Sequence, residues 1–251
     1  IKNISDIVFK EAQSNKVIVV LSAMAGETNK LQSYLDEFES QYSAESDLVL
    51  TSGEQVTVGL LSAALKNRGA KSIPLLGWQI PIITDNNHEK AKILNINKKR
   101  IQKFFETNDV IVLAGFQGIN QEGQITSLGR GGSDTTAVAI ASAVKAERCD
   151  IFTDVDGVYT TDPNINQNAK KISKMSYEEM LEMASTGAKV LHTRSVELAM
   201  KNNLILQVLS SLTKENGTFI VDETELIEKE IVSGVSYSKN EAKVTISGIL
   251  D

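Results

Sequence analysis

The 251-residue sequence contains one cysteine and has no long apolar run. Cys149 has no second cysteine with which to form a disulfide or a cysteine-based metal site, which indicates a reducing compartment. No apolar run approaches the roughly 18 residues of a membrane span, and the opening stretch IKNISDIVFKEA is amphipathic, unlike a signal peptide. We therefore expect a cytoplasmic protein that does not enter a membrane.

An excess of basic charge is also missing. Lysine and arginine number 26 against 32 aspartates and glutamates, which gives a formal net charge of −6. Without a basic cluster, neither nucleic acid nor an anionic membrane is an expected partner. The 41% hydrophobic and 23% charged residues are typical of a globular protein. The length allows one large α/β domain or two small ones.

Three familiar phosphate-binding signatures are absent from the sequence. It contains neither GxxxxGK[ST] nor a His-Arg-Asp kinase loop. The stretch LGRGGSD departs from GxGxxG because Asp134 occupies the third glycine position. Any phosphate chemistry must therefore use a different cradle.

Short apolar runs alternate with amphipathic helical patterns along most of the chain. Buried strands are predicted at residues 16–21 and 110–116, and further short strands at 71–76, 80–84 and 205–210. The stretch 149–163 is predicted to begin with a strand and to continue as a turn region. This alternation predicts an α/β fold, a three-layer α/β/α sandwich with a mainly parallel central sheet. From Ser233 onward the pattern changes to period two, which predicts the first piece of a different, antiparallel module.

A glycine-rich segment, Gly115 to Ala137, leads into the apolar helical pattern AVAIASAV. Glycines let the backbone approach a ligand, and a helix start attracts anions through its free N–H groups. Arg130 stands between glycines and could hold a carboxylate or phosphate, or be a solvated loop arginine. Ser133 and Asp134 could cap the helix, and Asp134 could also receive a substrate ammonium.

Two further candidate site residues, Glu54 and Thr28, precede the glycine-rich segment in the sequence. Glu54 lies in a helix start that is otherwise apolar, where a buried carboxylate needs a cationic partner, either a protein lysine or a substrate amine. Thr28 closes a strand-turn segment and could simply be a turn residue.

The stretch TDVDGVYTTDP, from Thr153 to Pro163, is rich in carboxylates. It can approach a nucleotide only if magnesium or a lysine offsets its charge, and Lys189 is one candidate cation. A calcium loop is the alternative, but the spacing of an EF-hand is missing.

The sequence contains two histidines. His192 is expected to cap or pack on a helix, and His88 has no partner that the sequence identifies.

Together these motifs resemble the aspartokinase branch of the amino-acid kinases. SAMAGETN, SGEQ, the glycine-rich segment, TDVDGVYTTDP and GAKVLHTRSVELA occur in the order and spacing of that family over nearly the whole chain. The resemblance implies a catalytic domain at residues 1–232, with an acceptor-binding lobe at about 1–133 and a nucleotide-binding lobe at about 134–232. It also implies that residues 233–251 begin an incomplete ACT-like regulatory domain.

The resemblance implies ATP-dependent phosphorylation of the β-carboxylate of L-aspartate to 4-phospho-L-aspartate, with Mg²⁺ on the phosphate oxygens. This is the first step towards lysine, threonine and methionine. A homo-oligomer is implied as well, with the ACT-like domains as the candidate interface. The implied acceptor-site residues are Ser22, Ala23, Thr28, Glu54, Arg130, Ser133 and Asp134. Of these, the implied catalytic residues are Thr28, Arg130, Ser133 and Asp134. The implied nucleotide-site residues are Thr153, Asp154, Tyr159, Asp162 and Lys189.

The sequence departs from the family pattern at two places. The family opens with Lys-Phe-Gly-Gly, which lies upstream of Ile1, and a protein that truly began at Ile1 should bind its ligands but be nearly inactive. The family's Asp-Pro-Arg is replaced by Asp-Pro-Asn, with Asn164 in the third position.

Two kinds of protein are alternatives to an aspartokinase. One is another kinase of the same fold, such as a glutamate 5-kinase, acetylglutamate kinase or uridylate kinase. The other is a non-catalytic amino-acid-sensing subunit.

Overall fold

The computed structural model of the chain describes residues 1–38, 43–187, 190–213, 216–226 and 234–236. Helices and strands alternate through these ranges, as the sequence pattern predicts. Lys189, one of the predicted nucleotide-site residues, lies outside the described residues. So does the predicted ACT-like segment 233–251, except for residues 234–236.

The described helices are α1 (Lys2–Glu11), α2 (Glu27–Leu35), α3 (Ala44–Leu50), α4 (Ser52–Asn67), α5 (Lys98–Phe105), α6 (Gly132–Val144), α7 (Tyr177–Ser185) and α8 (Thr193–Lys201). The described strands are β1 (Val17–Leu21), β2 (Ser72–Leu75), β3 (Ile82–Thr84), β4 (Ile93–Ile96), β5 (Val110–Ala114), β6 (Gln117–Ile119), β7 (Ile125–Ser127), β8 (Cys149–Thr153), β9 (Lys174–Ser176), β10 (Leu206–Ser210) and β11 (Thr218–Val221).

Strand β5 runs between β1 and β2 in a three-stranded parallel sheet. It is apolar throughout because both of its faces are covered. Val110, Val112 and Ala114 pack with α1 and α4, whereas Ile111 and Leu113 pack with β3 and α5 on the opposite side. All five β5 residues are buried, which confirms the predicted parallel strand.

Two further sheets have four strands each, in the orders β8-β10-β11-β9 and β4-β3-β6-β7. Parallel pairing joins β8 to β10, β11 to β9 and β3 to β6, while the remaining pairs are antiparallel. The mainly parallel α/β fold is therefore confirmed. Strands β4, β6, β7, β9 and β11, each of three or four residues, were not predicted.

Helix α6 packs in both halves of the protein. Its residues Val138 and Ala141 join a core cluster formed by residues from 138 to 220. Its residue Ile140 joins a second cluster with Leu75, Ile82 and neighbouring side chains of the N-terminal half. The glycine-rich segment thus leads into a helix that is held from two sides, which fixes where that helix begins.

The stretch Ala44–Asn67, which comprises α3 and α4, is 24 residues long and apolar enough to cross a membrane by length and composition. This differs from the expectation that no such run exists. One face of the stretch belongs to the core: Val58, Leu61 and Leu65 are buried against β5 and α1. That packing accounts for the apolar residues of this face, whereas Leu48, Val56 and Leu60 are exposed.

Candidate active site

The carboxyl ends of β1 and β5 meet at one edge of the parallel sheet. Leu21 pairs with Ala114, and the Gly115 N–H donates to the Leu21 carbonyl at 2.9 Å. A side chain at Gly115 would lie 2.8 Å from the Ser133 hydroxyl oxygen, so Gly115 lets the start of α6 approach this edge. The residues after both strands and the beginning of α6 are thereby brought together, where open α/β sheets bind ligands.

Glu54, in the first turn of α4, is buried at this edge with 3% exposure. Its Oε1 accepts the Ala23 N–H at 3.0 Å. Its Oε2 is buried and has no hydrogen-bond partner among the described residues. Burial raises the pKa of Glu54 to about 7, and the hydrogen bond from Ala23 partly opposes that rise. The sequence left open whether a protein lysine or a substrate amine pairs with Glu54. No lysine in the described ranges does so, and the carboxylate is available to a cation from outside these ranges.

The loop before α6 carries Arg130 between two glycines in left-handed conformations, with φ of 72° at Gly129 and 69° at Gly131. Arg130 is exposed, and within the described part of the chain it has neither a hydrogen bond nor an ion pair. Left-handed backbone on both sides is a conformation that glycine adopts without strain. The guanidinium is therefore presented on a defined loop with its donors free.

Ser133 and Asp134 do not cap α6, so the capping interpretation was wrong for both. Gly131 occupies the cap position, and no side chain in the described part of the chain caps the helix. Asp134 is half-buried in the first turn, where burial raises the pKa of its carboxyl and nearby His192 opposes the shift. Two carboxyl groups with raised pKa values, Glu54 and Asp134, therefore lie on elements that converge at the same sheet edge.

Ser22, Ala23 and Thr28 follow β1 on the way into α2. Ala23 contacts this site through its N–H bond to Glu54, and a side chain at Gly53 would lie 2.8 Å from the Ala23 Cβ. Ser22 and Thr28 are both exposed, with Thr28 in the first turn of α2. Their contacts with a substrate stay predictions.

Two carboxylates of the segment after β8, Asp154 and Asp162, are exposed and accept hydrogen bonds from the segment itself. Asp154 accepts a hydrogen bond from the Thr153 hydroxyl at 3.0 Å. Asp162 accepts both the backbone N–H and the side-chain amide of Asn164, at 2.8 and 3.1 Å. Where the family has an arginine, Asn164 therefore turns back onto its own loop.

Asp156 forms the centre of a more enclosed group in the same segment. It accepts the Tyr159 hydroxyl at 3.0 Å and the Lys171 ammonium at 3.1 Å. Burial raises the pKa of Asp156, but the hydrogen bonds from Lys171 and Tyr159 outweigh it, and the pKa lies below its usual value. Lys171, which sequence reasoning did not identify, thus offsets charge here. No group of three or more acidic, histidine or cysteine side chains in the described ranges could hold a metal ion by itself.

Comparison with known proteins agrees with this architecture. Residues 1–210 match the profile of the amino acid kinase family. The chain belongs to the amino acid kinase family. Its residues are also 49% identical over 246 positions to an aspartokinase of Pseudomonas aeruginosa, covering 97% of this chain and 60% of that protein.

Solved structures of the same family superpose on the chain. Aspartate kinase from Synechocystis has a TM-score of 0.77 at 40% identity, covering 88% of this chain and 37% of that one. Aspartokinase III of E. coli in complex with aspartate and ADP has a TM-score of 0.76 at 27% identity, covering 88% and 60%. The chain spans about three-fifths of the length of the curated relatives it matches.

His192 stands at the N-cap position of α8 but makes no side-chain capping hydrogen bond within the described ranges. Its ring packs against the loop before α6, where a side chain at Gly131 would clash with it. This position agrees with the expectation that His192 caps or packs at a helix. Two other contacts near the site were not identified from the sequence. Arg194 of α8 donates to the carbonyls of Leu128 and Ala91, at 2.7 and 2.8 Å. His88, expected to have no identifiable partner, contacts Asp47 at 2.7 Å.

Proposed function

We propose that the chain is the catalytic part of an aspartate kinase, which transfers the γ-phosphoryl group of ATP to the β-carboxylate of L-aspartate. The observation that carries this proposal is the unmatched charge at the sheet edge. Among the described residues, Glu54 has a buried oxygen without a partner, and Arg130 makes no hydrogen bond or ion pair on a loop that leads into the same edge. An amino-acid zwitterion supplies the two complementary groups. The aspartate and ADP bound to the related E. coli enzyme support this assignment.

On the acceptor side, Glu54 and Asp134 would receive the α-ammonium group and Arg130 the α-carboxylate. A substrate cation beside Glu54 would restore the charged form that burial disfavours. A bidentate guanidinium suits a carboxylate in geometry as well as charge. Held at that end, the substrate would place its β-carboxylate near Ser133 and Thr28, while Ser22 and Ala23 line the other side.

On the nucleotide side, the segment after β8 would bind ATP through Thr153, Asp154, Tyr159 and Asp162, with Lys189 near the nucleotide. The division into an acceptor lobe at about 1–133 and a nucleotide lobe at about 134–232 is part of this proposal. It is supported by core clusters that separate on either side of α6. The transfer would then take place near the start of α6.

Magnesium would arrive on the phosphate oxygens of ATP. Bound there, it would neutralise charge as the phosphoryl group moves. The protein's own contribution would be alignment: an aspartate oxygen attacks the γ-phosphorus, the bond to ADP breaks, and no covalent enzyme intermediate is needed. Assembly into a homo-oligomer belongs to the same proposal for the full-length protein.

The direct test is an ADP-release assay on the full-length protein with aspartate, glutamate, acetylglutamate and UMP as acceptors. Hydroxylamine in a parallel reaction should trap the acyl phosphate as a hydroxamate. We expect turnover with aspartate that exceeds the other acceptors by at least about 100-fold, because the zwitterion and the chain length must both fit. An Asp134→Ala preparation purified in the same way controls for contaminating host kinases.

Other outcomes would reject the proposal. Turnover with glutamate but not aspartate would assign the chain to a different amino acid kinase. Binding of aspartate without ADP release under any condition would favour a non-catalytic, amino-acid-sensing role.

A further inference from the structure

We propose that Asp47 and His88 form a positioning pair that holds the Arg130 loop at the correct distance from Glu54. Neither residue is part of the substrate-binding set described above. The inference rests on the proposed function in one respect, that Arg130 and Glu54 bind opposite ends of one substrate.

The pair itself is a buried carboxylate with a complete set of partners. Asp47, in α3, has 0% exposure. Its Oδ2 lies 2.7 Å from His88 Nδ1, and its two oxygens accept the Glu89 N–H at 3.1 and 3.2 Å. Burying a carboxylate is costly unless such contacts compensate, and an apolar pair of similar size would often be more stabilising. A role in specifying geometry explains why this polar arrangement stands in the core.

The side chain of Asp47 determines where the glycine loop lies. Glu89, which it holds, has a left-handed φ of 64°. The Glu89 carbonyl oxygen would lie 2.7 Å from a side chain at Gly129, so Gly129 and Glu89 are in close backbone contact. Two residues further on, the Ala91 N–H donates to Ser127 at 2.9 Å. The segment from His88 to Ala91 is thereby fastened alongside the approach to Arg130.

Arg194 strengthens the same contact from α8. It donates to the carbonyls of Leu128 and Ala91, one on each of the two segments. Its guanidinium therefore bridges the loop that carries Arg130 and the segment that Asp47 holds. The loop is supported on both sides of Gly129.

The backbone of Asp47 is tied to Glu54. The Asp47 carbonyl accepts the Thr51 N–H at 3.1 Å and the Thr51 hydroxyl at 2.7 Å. Thr51 immediately precedes α4, and its own carbonyl accepts the Gln117 side-chain amide at 3.2 Å. One residue thus links the helix start that bears Glu54 to the loop that bears Arg130. Its displacement should change the spacing between the two charges.

The kinetic test compares His88→Ala with His88→Asn in the full-length protein. Asparagine can place an amide N–H where Nδ1 stands, so it should restore the contact with Asp47, whereas alanine leaves the buried carboxylate short of a donor. We expect His88→Ala to raise KM for aspartate about tenfold and to leave KM for ATP within twofold. His88→Asn should recover most of the difference. Ser62→Ala, which removes a buried hydroxyl contact with Ser72 in the same half, is the matched control.

Hydrogen–deuterium exchange gives a readout that does not depend on activity. The amides of Leu128 and Gly132 bond to the Phe116 and Gly129 carbonyls, each at 2.9 Å. Their exchange should accelerate at least about threefold in His88→Ala, return towards the wild-type rate in His88→Asn, and stay unchanged in Ser62→Ala. Amides of β8 and β10 should not respond in any variant.

The two readouts separate failure of the inference from failure of the proposed function. Unchanged exchange at Leu128 and Gly132 in His88→Ala, or an equal rise in KM for both substrates, would overturn the positioning role. If exchange at Leu128 and Gly132 responds as expected but the wild-type protein does not phosphorylate aspartate, the positioning role of Asp47 and His88 is supported and the proposed substrate is wrong.

Discussion

The acceptor edge and the carboxylate-rich segment after β8 both carry acidic side chains, but they satisfy them in opposite ways. Glu54 is buried with one oxygen unpartnered among the described residues, whereas exposed Asp154 and Asp162 accept hydrogen bonds from their own loop. A buried charge without a partner is expensive, so its presence points to a ligand. A loop whose carboxylates already accept hydrogen bonds from the loop itself does not indicate a ligand in this way, even where the loop binds a ligand.

The largest effect should come from Arg130→Ala on the acceptor side. Removing a guanidinium that pairs with a desolvated carboxylate typically costs about 2–5 kcal/mol, so KM for aspartate should rise about 30-fold or more. KM for ATP should stay close to the wild-type value in steady-state kinetics. Arg148→Ala, at an exposed arginine paired with Asp150, is the control and should change neither constant. An equal loss of affinity for aspartate and for ATP would show that Arg130 does not belong to the acceptor edge alone.

A second, smaller effect is expected from Glu54→Gln, through pH. Because the pKa of Glu54 is about 7, the charged form that receives an ammonium increases as pH rises, and aspartate affinity should improve about tenfold from pH 6 to pH 8. The Gln variant should bind aspartate about tenfold more weakly at pH 8. Its pH dependence should be weaker and should come from Asp134, the other carboxyl with a raised pKa at this ammonium. Isothermal titration calorimetry would measure both, and proton release on binding should decrease in the variant.

The same raised pKa predicts an opposite effect on stability. Relative to an unfolded value of 4.5, the native wild-type protein holds its proton more tightly, so it loses stability as pH rises from about 4.5 to about 7. Above pH 7 Glu54→Gln should therefore be more stable than the wild type by about 1 kcal/mol or more in denaturant unfolding. Exposed Glu106→Gln serves as the control. A Gln variant that is both less stable and unchanged in aspartate affinity would contradict the assignment.

The smallest effect should come from the exposed side, with Tyr159→Ala. Loss of a partly exposed aromatic contact is worth about 1 kcal/mol, so KM for ATP should rise about fivefold while KM for aspartate stays unchanged. Tyr159→Phe keeps the ring and removes only the hydroxyl bond to Asp156, so it distinguishes ring contact from hydrogen bonding. Tyr34→Ala, at an exposed tyrosine of α2, should have no effect on either constant. An unchanged ATP constant in Tyr159→Ala would remove this residue from the nucleotide site.

Short stretches of sequence were sufficient to predict those features of the protein that consecutive residues form. Strand β5 was predictable because an apolar run covered on both faces has a recognisable composition. The position of Arg130 between glycines was visible for a similar reason, since the chemistry of the loop lies in consecutive residues. The roles of Arg130, Asp134 and the residues of the nucleotide segment stay predictions until the kinetics are measured.

Contacts between distant residues were not predictable. Asp47 and His88 are 41 positions apart, and nothing near either residue indicates the other. Lys171 reaches Asp156 across 15 residues, and β6 pairs with β3 from a different part of the chain. These contacts result from how the sheets and helices pack, which single-sequence patterns do not encode.

By itself, the sequence determined the α/β alternation, the family resemblance and the charges available at the site, because these follow from residue type and short-range spacing. Only the tertiary structure decided that Glu54 is buried with an oxygen unpartnered among the described residues, that Ser133 and Asp134 are not caps, and that Asp47 links α4 to the glycine loop. The reason is physical. Burial, and with it the pKa of a carboxyl group, depends on which distant segments exclude water from it.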